Sequence, residues 1–140
     1  MAGWAYWEFK TFEDLTTSAG DGAEGFYNKD GSLQDFKVKA LSRTYLMATQ
    51  GTLLTNQFNM DTSDFNASFQ VDSINIKKPS IIYTNRQYYY PNGYQTTITV
   101  DGVELTKDQV TVEISDLYQL ITVTDENLSG STVSVSIQAN

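Results

Sequence analysis

The sequence predicts a mainly β fold, an antiparallel β-sandwich preceded by one β-α unit. Its 140 residues with 40% hydrophobic content suffice for one domain of ordinary size, or for a small domain and part of another. Residues 66–140 are rich in Thr, Val, Ile, Ser and Tyr, in short runs that turn residues interrupt. The helix-compatible sequence lies mostly within residues 1–50. The chain therefore changes character near residue 60, from mixed to all-β.

The chain opens on the pattern of a strand buried on both sides. Residues 3–9 alternate with period two, and one face carries two small residues followed by Trp7 and Phe9. The opposite face is also largely apolar, which is typical of strands in parallel sheets and barrels. Small residues with a Trp above them fit the layered interior of a parallel barrel.

A polar loop follows, and the next pattern predicts a helix from about Ser32 to Arg43. Ser32 is a suitable N-cap residue, and Asp35 adds negative charge to the positive end of the helix. We expect an irregular continuation to Gln50, with Gly51 ending the helix. The apolar stripe at helical spacing consists of Leu33, Phe36, Ala40, Leu41 and Tyr45.

Six short runs predict the strands of an immunoglobulin-like antiparallel sandwich. A polar link over residues 55–64 precedes them, and Asp101-Gly102 and Ser129-Gly130 are among the turn signals between them. A spacing of roughly 8–15 residues per strand is typical of sandwiches. In the last run, Val133, Val135 and Ile137 share one face, and Ser134, Ser136 and Gln138 share the other. The predicted strands are Asn66–Asp72, Ser80–Thr84, Tyr94–Val100, Val110–Ile114, Leu120–Thr124 and Thr132–Gln138.

Composition excludes several classes of function. The chain has no Cys and no His, which rules out disulfides, thiol chemistry and every catalytic triad that needs an imidazole. Its net charge of −8 predicts that it has no nucleic-acid partner. No run of about 18 apolar residues occurs, so we predict no membrane span. We expect no cofactor and no metal, and any catalysis would depend on carboxylates, Tyr or Lys.

The first segment presents a packing problem. One strand and one helix cannot bury an apolar stripe and two apolar strand faces at the same time. Either they pack opportunistically on the sandwich, or the chain is the C-terminal part of a longer protein. We expect the second arrangement, because the buried strand begins within two residues of Met1.

Three motifs occur in order along the chain. The first is residues 7–10 (Trp-Glu-Phe-Lys) with residues 14–17 (Asp-Leu-Thr-Thr), and the second is residues 41–45 (Leu-Ser-Arg-Thr-Tyr). The third is residues 81–83 (Ile-Ile-Tyr) with residues 90–94 (Tyr-Pro-Asn-Gly-Tyr). Together they resemble the eighth barrel strand, the last barrel helix and the C-terminal β-sandwich of glycoside hydrolase family 5, in its endoglycoceramidase-like branch. The resemblance covers nearly the whole chain.

The resemblance implies two domains. Residues 1–52 would be the C-terminal remnant of a (β/α)8 glycosidase barrel, with its strand at about 3–9 and its helix at about 32–43, and residues 53–140 would be the sandwich. The parent would be a retaining glycosidase that hydrolyses a β-glycosidic bond in a glycolipid such as a glycosphingolipid. Its substrate would be a glycolipid or an oligosaccharide, with contact to a membrane surface only through that substrate. The resemblance further implies a secreted parent, or one in a lysosome-like or vacuole-like compartment.

The same resemblance implies where the chemistry lies. Retaining glycosidases use two glutamates about 5–5.5 Å apart, and the family carries them on the fourth and seventh barrel strands. A chain that begins at the eighth strand would contain neither, so we predict no catalytic residue here and no activity from the chain alone. Trp7 matches the Trp that forms the floor of a sugar subsite, and Lys10 matches a position near the mouth of the pocket.

Other interpretations remain open at this stage. The chain could be a non-catalytic β-sandwich module for carbohydrate binding or adhesion, or a sandwich that only supports the barrel. Trp7 could be plain core. Residues 88–90 (three Tyr) with Tyr83 and Tyr94 could form a carbohydrate platform, or pack half-buried in an edge strand. Asp61 and Asp64 could bind calcium, or lie in a solvated loop.

Overall fold

Two units make up the chain, Met1–Ser42 and Arg43–Asn140. The computed structural model describes Phe9 and residues 25–140. The strand predicted over residues 3–9 lies outside the described residues, apart from Phe9. Neither helix in the described part of the chain is long and apolar enough to cross a bilayer.

In the first unit, helix α1 spans Asp35–Leu41 and is shorter than the predicted helix. Ser32 does not cap it. Instead, the Ser32 N–H and Oγ donate to the Asp30 carboxylate at 2.9 and 2.6 Å, which closes the turn before the helix. No residue of α1 is buried, and Phe36 of the predicted apolar stripe is 69% exposed. The helix therefore forms where the sequence places it, but its apolar side is only partly covered.

The second unit is an antiparallel β-sandwich, which confirms the predicted fold class. Its strands are β1 (Tyr45–Ala48), β2 (Gly51–Phe58), β3 (Phe65–Val71), β4 (Ser80–Tyr83), β5 (Tyr94–Val100), β6 (Val103–Glu104), β7 (Val110–Ile114), β8 (Tyr118–Val123) and β9 (Thr132–Ala139). One sheet has the order β1-β4-β8-β7, and the other has the order β2-β3-β9-β5-β6. All neighbouring strands in both sheets run antiparallel.

The core lies between the two sheets and follows from the alternation of the strands. In β3, Phe65, Ala67, Phe69 and Val71 are buried, and the polar residues between them face outward. Burial of these aromatic and branched side chains is the main stabilising contribution. The other buried apolar side chains are Leu46, Ile82, Tyr89, Tyr90, Ile98, Val100, Ile121, Val123, Val133, Val135 and Ile137.

The six predicted strands are all present. Strands β5 and β7 coincide with the predicted ranges, and β3, β4, β8 and β9 differ from theirs by at most two residues at either end. These runs are short, are rich in β-branched and aromatic residues and are separated by turn residues, so local pattern was sufficient to locate them.

The prediction was wrong over residues 44–50, where an irregular helical continuation was expected, and over residues 55–58, which were assigned to a polar link. The chain forms β1 and β2 instead, because Leu46 enters the core and Phe58 packs against it. A bulge between Leu53 and Thr55 shifts the register of β2 against β3 and breaks the alternation that identifies a strand. Both strands lie within the second unit, which begins at Arg43.

Gly51 begins a strand and does not end a helix. Its backbone φ is 155°, and a Cβ built at this position would collide with the carbonyl oxygen of Gln70 on β3. The residue is therefore required for the close approach of β2 to β3.

Gln50 lies between β1 and β2 in the sequence, and its side chain is fully buried. Its hydrogen bonds join three parts of the sandwich. Its Nε2 donates to the carbonyls of Ile76 and Val123 at 2.8 and 3.0 Å, and its Oε1 accepts from the Val123 N–H at 2.8 Å. Its own N–H donates to Ser80 Oγ at 2.9 Å. Every polar group of this side chain is thus bonded in the interior.

Candidate functional site

The outer face of the five-stranded sheet is polar but carries no charge on its central strands. On β3, β9 and β5 every outward side chain is Ser, Thr, Asn or Gln. Ser134 on β9 lies between Ser68 of β3 and Thr99 of β5 in the register. Cross-strand hydroxyls also pair directly, as Thr55 Oγ1 and Ser68 Oγ do at 2.7 Å.

This hydroxyl face contains a shallow depression of about 240 Å³. Hydroxyl and amide groups both donate and accept hydrogen bonds, so they suit a neutral polyhydroxylated ligand. No aromatic ring lines the depression, so a sugar would be held by hydrogen bonds without stacking. The polar side chains around it are Thr55, Asn66, Ser68, Thr97, Thr99, Ser134 and Ser136.

The outer face of the four-stranded sheet carries a row of three tyrosines across β1, β4 and β8. Tyr45, Tyr83 and Tyr118 lie side by side in the register of β1, β4 and β8. Their ring centroids are 5.5 and 6.0 Å apart, with interplanar angles of 42° and 63°. Because the rings are tilted against one another, this row is not the flat platform on which sugar rings stack.

The tyrosines of residues 88–90 pack in the sandwich, as one of the two interpretations has it, but from a short helix and not from an edge strand. Residues Arg86–Tyr89 form a short helix, α2, which Asn85 caps by accepting from the Tyr88 N–H. Tyr89 and Tyr90 enter the core, and the Tyr90 ring meets Tyr94 edge to face at 5.0 Å. This segment packs the sandwich and offers no exposed carbohydrate platform.

Tyr90 confers a specific pH dependence on stability. Burial raises the pKa of Tyr90 to about 12, although the hydrogen bond with Thr44 at 2.9 Å partly opposes the shift. Since the unfolded chain ionises this group near 10, the contribution is complete below pH 10 and is lost as the pH rises to about 12. Denaturation midpoints measured across this range should fall more steeply for the unmodified chain than for Tyr90→Phe. Equal slopes would contradict the assignment to Tyr90.

Three carboxylates in residues 25–140 accept hydrogen bonds within local turns. Hydrogen bonds from Ser32 lower the pKa of Asp30, and those from Asn75 lower the pKa of Asp72. A hydrogen bond from the Asn127 N–H is the main cause of the lowered pKa of Asp125. A carboxyl group that acts as a general acid near neutral pH needs the opposite shift. These three groups are therefore structural.

Asp61 and Asp64 lie in the turn after β2. The Asp61 N–H donates to the Asn59 side chain at 2.9 Å, and Thr62 Oγ1 donates to the Asp64 carboxylate at 2.7 Å. Within residues 25–140 and Phe9, no group of three or more Asp, Glu, His or Cys side chains could hold a metal ion.

Trp7 and Lys10, the predicted substrate-binding residues, lie outside the described residues. Their roles remain predictions. Within the first unit, an open apolar pocket of about 420 Å³ is lined by Phe9, Phe26, Tyr27, Leu33, Val38, Leu41 and Ser42.

Comparison with known proteins identifies relatives of this chain. Residues 43–137 match the family profile described as "Glycoside hydrolase family 5 C-terminal domain". The endoglycoceramidase of Cyanea nozakii is 27% identical over 136 residues, which cover 97% of this chain and 26% of that protein. The chain thus spans about a quarter of the length of this curated relative.

Solved structures show the same fold. Two crystal structures of Cryptococcus neoformans sterylglucosidase 1 superpose with TM-scores of 0.54 and 0.51, each at 19% identity. The superpositions cover 79% of this chain and 14% and 15% of those chains. The family match and the curated relative confirm the resemblance predicted from the sequence motifs. On the match over residues 43–137, the chain belongs to the glycoside hydrolase family 5 C-terminal domain family.

Proposed function

We propose that the chain is the C-terminal part of a retaining glycoside hydrolase that cleaves a β-glycosidic bond in a glycolipid. The observation that carries this proposal is the match to an endoglycoceramidase of which the chain covers only 26%. In this proposal both catalytic glutamates belong to the part of the enzyme that the chain lacks. The sandwich then contributes to the architecture of the enzyme and not to bond cleavage.

The first unit, Met1–Ser42, supports a barrel origin for the part of the chain that precedes the sandwich. A β-α unit of a (β/α)8 barrel buries its apolar sides against neighbouring units. Helix α1 has no buried residue, and the apolar pocket beside it is open. Both features are those expected of a β-α unit separated from its neighbours.

Two further assignments belong to this proposal. Trp7 forms the floor of a sugar subsite in the complete enzyme, where a rigid indole covers the apolar face of a sugar ring. Lys10 supplies a polar contact at the mouth of the pocket. The partner of the complete enzyme is a glycolipid or oligosaccharide, reached at a membrane surface through the lipid substrate, in a secreted or lysosome-like setting where glycosphingolipids are degraded.

An activity assay tests the proposal. The purified 140-residue chain is expected to release no product from a fluorogenic β-glucoside or from a glycosphingolipid in detergent micelles, whereas an active endoglycoceramidase does so under the same conditions. The reason is the missing pair of glutamates, without which no glycosyl-enzyme intermediate forms. Turnover by the chain that disappears when one of its own carboxylates is replaced would overturn the proposal.

A second candidate is a non-catalytic carbohydrate-binding or adhesion module, and the hydroxyl face favours it. A titration with glycans, followed by amide chemical shifts, tests this function. Binding at the depression would move the amides of β3, β5 and β9, and Ser134→Lys would abolish the shifts by placing a long charged side chain there. Gln95→Lys is the matched control, because Gln95 is exposed on β5 outside the depression. Flat titrations with all glycans would exclude this candidate.

A further inference from the structure

Three buried polar atoms have no hydrogen-bond partner in the described part of the chain. They are Thr84 Oγ1, Tyr94 OH and Gln119 Nε2. The side chains of Thr84 and Gln119 are fully buried. Leaving a buried donor or acceptor unpaired is costly, and in native proteins such atoms bond to protein or to ordered water. Three such atoms in one small sandwich therefore require an explanation.

Two of the three residues, Thr84 and Gln119, are diagonal neighbours on the inner face of the four-stranded sheet. Gln119 on β8 is the register partner of Ile82 on β4, and Thr84 follows Ile82 by two residues on the same side. The Thr84 N–H donates to the Leu117 carbonyl at 2.8 Å, so the pairing of the two strands continues to this point. Residues in this diagonal relation are neighbours across a sheet.

The third atom approaches from the opposite sheet. Gln119 Oε1 accepts from Thr96 Oγ1 on β5 at 3.0 Å, a bond that crosses the sandwich. Tyr94 precedes Thr96 by two residues and shares its side of β5. Tyr94 is also held at the end of the sandwich that contains Thr84, because its ring packs at 5.0 Å against Tyr90, whose hydroxyl bonds to Thr44 directly before β1.

The three unpaired atoms belong to uncharged side chains, which suits a neutral ligand. The guanidinium of Arg86 lies 5.9 Å from the centre of the Tyr94 ring and 4.0 Å from the Asp116 carboxylate. Arg86 is thus associated with the turn between β7 and β8 and with a ring face. The three unpaired atoms comprise one amide donor and two hydroxyls that can each donate or accept.

We propose that Thr84, Tyr94 and Gln119 bind one internal water molecule that bridges β4, β5 and β8. Gln119 Nε2 donates to the water oxygen, and the water donates its two protons to Thr84 Oγ1 and Tyr94 OH. Three hydrogen bonds is the usual number for a buried water. Together with the bond from Thr96 to Gln119, this water joins the two sheets at one end of the sandwich. The site is independent of the proposed function.

A double-mutant cycle in the full chain tests the site. Thr84→Val and Tyr94→Phe each remove one ligand of the water and keep the shape of the side chain. Each is expected to lower the urea midpoint, and the double variant is expected to lose less than the sum of the two, because both act through the same water. A single variant with an unchanged or raised midpoint, or an additive double variant, would overturn the proposal. Thr97→Val, on the outer face of β5, is the control and should leave the midpoint unchanged.

A high-resolution crystal structure of the unmodified chain provides an independent test that does not depend on any variant folding. We expect one ordered water within hydrogen-bond distance of all three atoms, with a low temperature factor. Direct bonds between the three side chains, or waters on separate partners, would overturn the shared site.

Discussion

Replacing Gln50 by Met is expected to lower the free energy of unfolding by about 3–5 kcal/mol, a large part of the total stability of a domain of this size. Met has nearly the same length and shape, so the loss comes from hydrogen bonds and not from a cavity. The Ile76 carbonyl and both backbone groups of Val123 lose the partner that Gln50 supplies in the interior. Each such buried group costs about 1–3 kcal/mol when left unpaired.

Urea denaturation followed by far-ultraviolet circular dichroism measures this loss. The matched control is Gln57→Met, which makes the same chemical change at an exposed position of β2 and should alter stability by less than about 0.5 kcal/mol. Similar midpoints for Gln50→Met and the control would show that Gln50 does not hold the strands together.

Replacing Gly51 by Ala is expected to lower the free energy of unfolding by about 3 kcal/mol, because the new Cβ would collide with the Gln70 carbonyl oxygen. The atom that blocks it belongs to the backbone of a paired strand, so the collision cannot be relieved by a side-chain rotation. Relief requires that β2 move away from β3 at the register pair of Gly51 and Val71, which weakens the pairing of the two strands, including the adjacent bond from the Asp72 N–H to the Gln50 carbonyl.

Gly130→Ala separates collision from backbone strain. Gly130 has a φ of 92°, but a Cβ there would meet no heavy atom within 4 Å. That variant should lose only the cost of the left-handed conformation, about 1–2 kcal/mol. The same denaturation experiment compares the two. If Gly51→Ala lost no more stability than Gly130→Ala, the close approach of β2 to β3 would not be a constraint on the fold.

Local sequence pattern predicted the strands in which polar and apolar residues match the exposed and the buried face of the sheet. Strand β9 alternates cleanly, so the sequence alone places Val133, Val135 and Ile137 on one face, which is the buried one. Strand β2 could not be found in this way, because its bulge places two consecutive residues against one on β3. In the sequence, Gly51 is as compatible with the end of a helix as with the start of a strand. Only the structure shows that glycine is needed here because of the nearby Gln70 carbonyl.

The α2 segment was missed although its signals were present. Asn85 is a good helix cap, and Pro91 comes directly after the last Tyr of residues 88–90. The run of three Tyr residues outweighed these signals because tyrosines favour strands.

The candidate site was predictable only in part. Alternation indicated that Ser134 and Ser136 face outward, but not that β3 and β5 flank them with further hydroxyls. That arrangement depends on strand order, which a single sequence does not specify. The cluster of Thr84, Tyr94 and Gln119 is even harder to predict from the sequence, because it depends on how strands pair and how the two sheets pack.

The bulge in β2 also affects how molecules of this chain meet one another. Strand β2 is one edge strand of the five-stranded sheet, and β6, the other edge strand, has only two residues. In the four-stranded sheet, β1 is short and its register also shifts, between Leu46 and Ala48. Irregular or very short edge strands pair poorly with a strand from another molecule. Strand β7, in contrast, is a regular edge strand with Val112 and Ile114 exposed. Amyloid-like self-association at high concentration would therefore begin at β7.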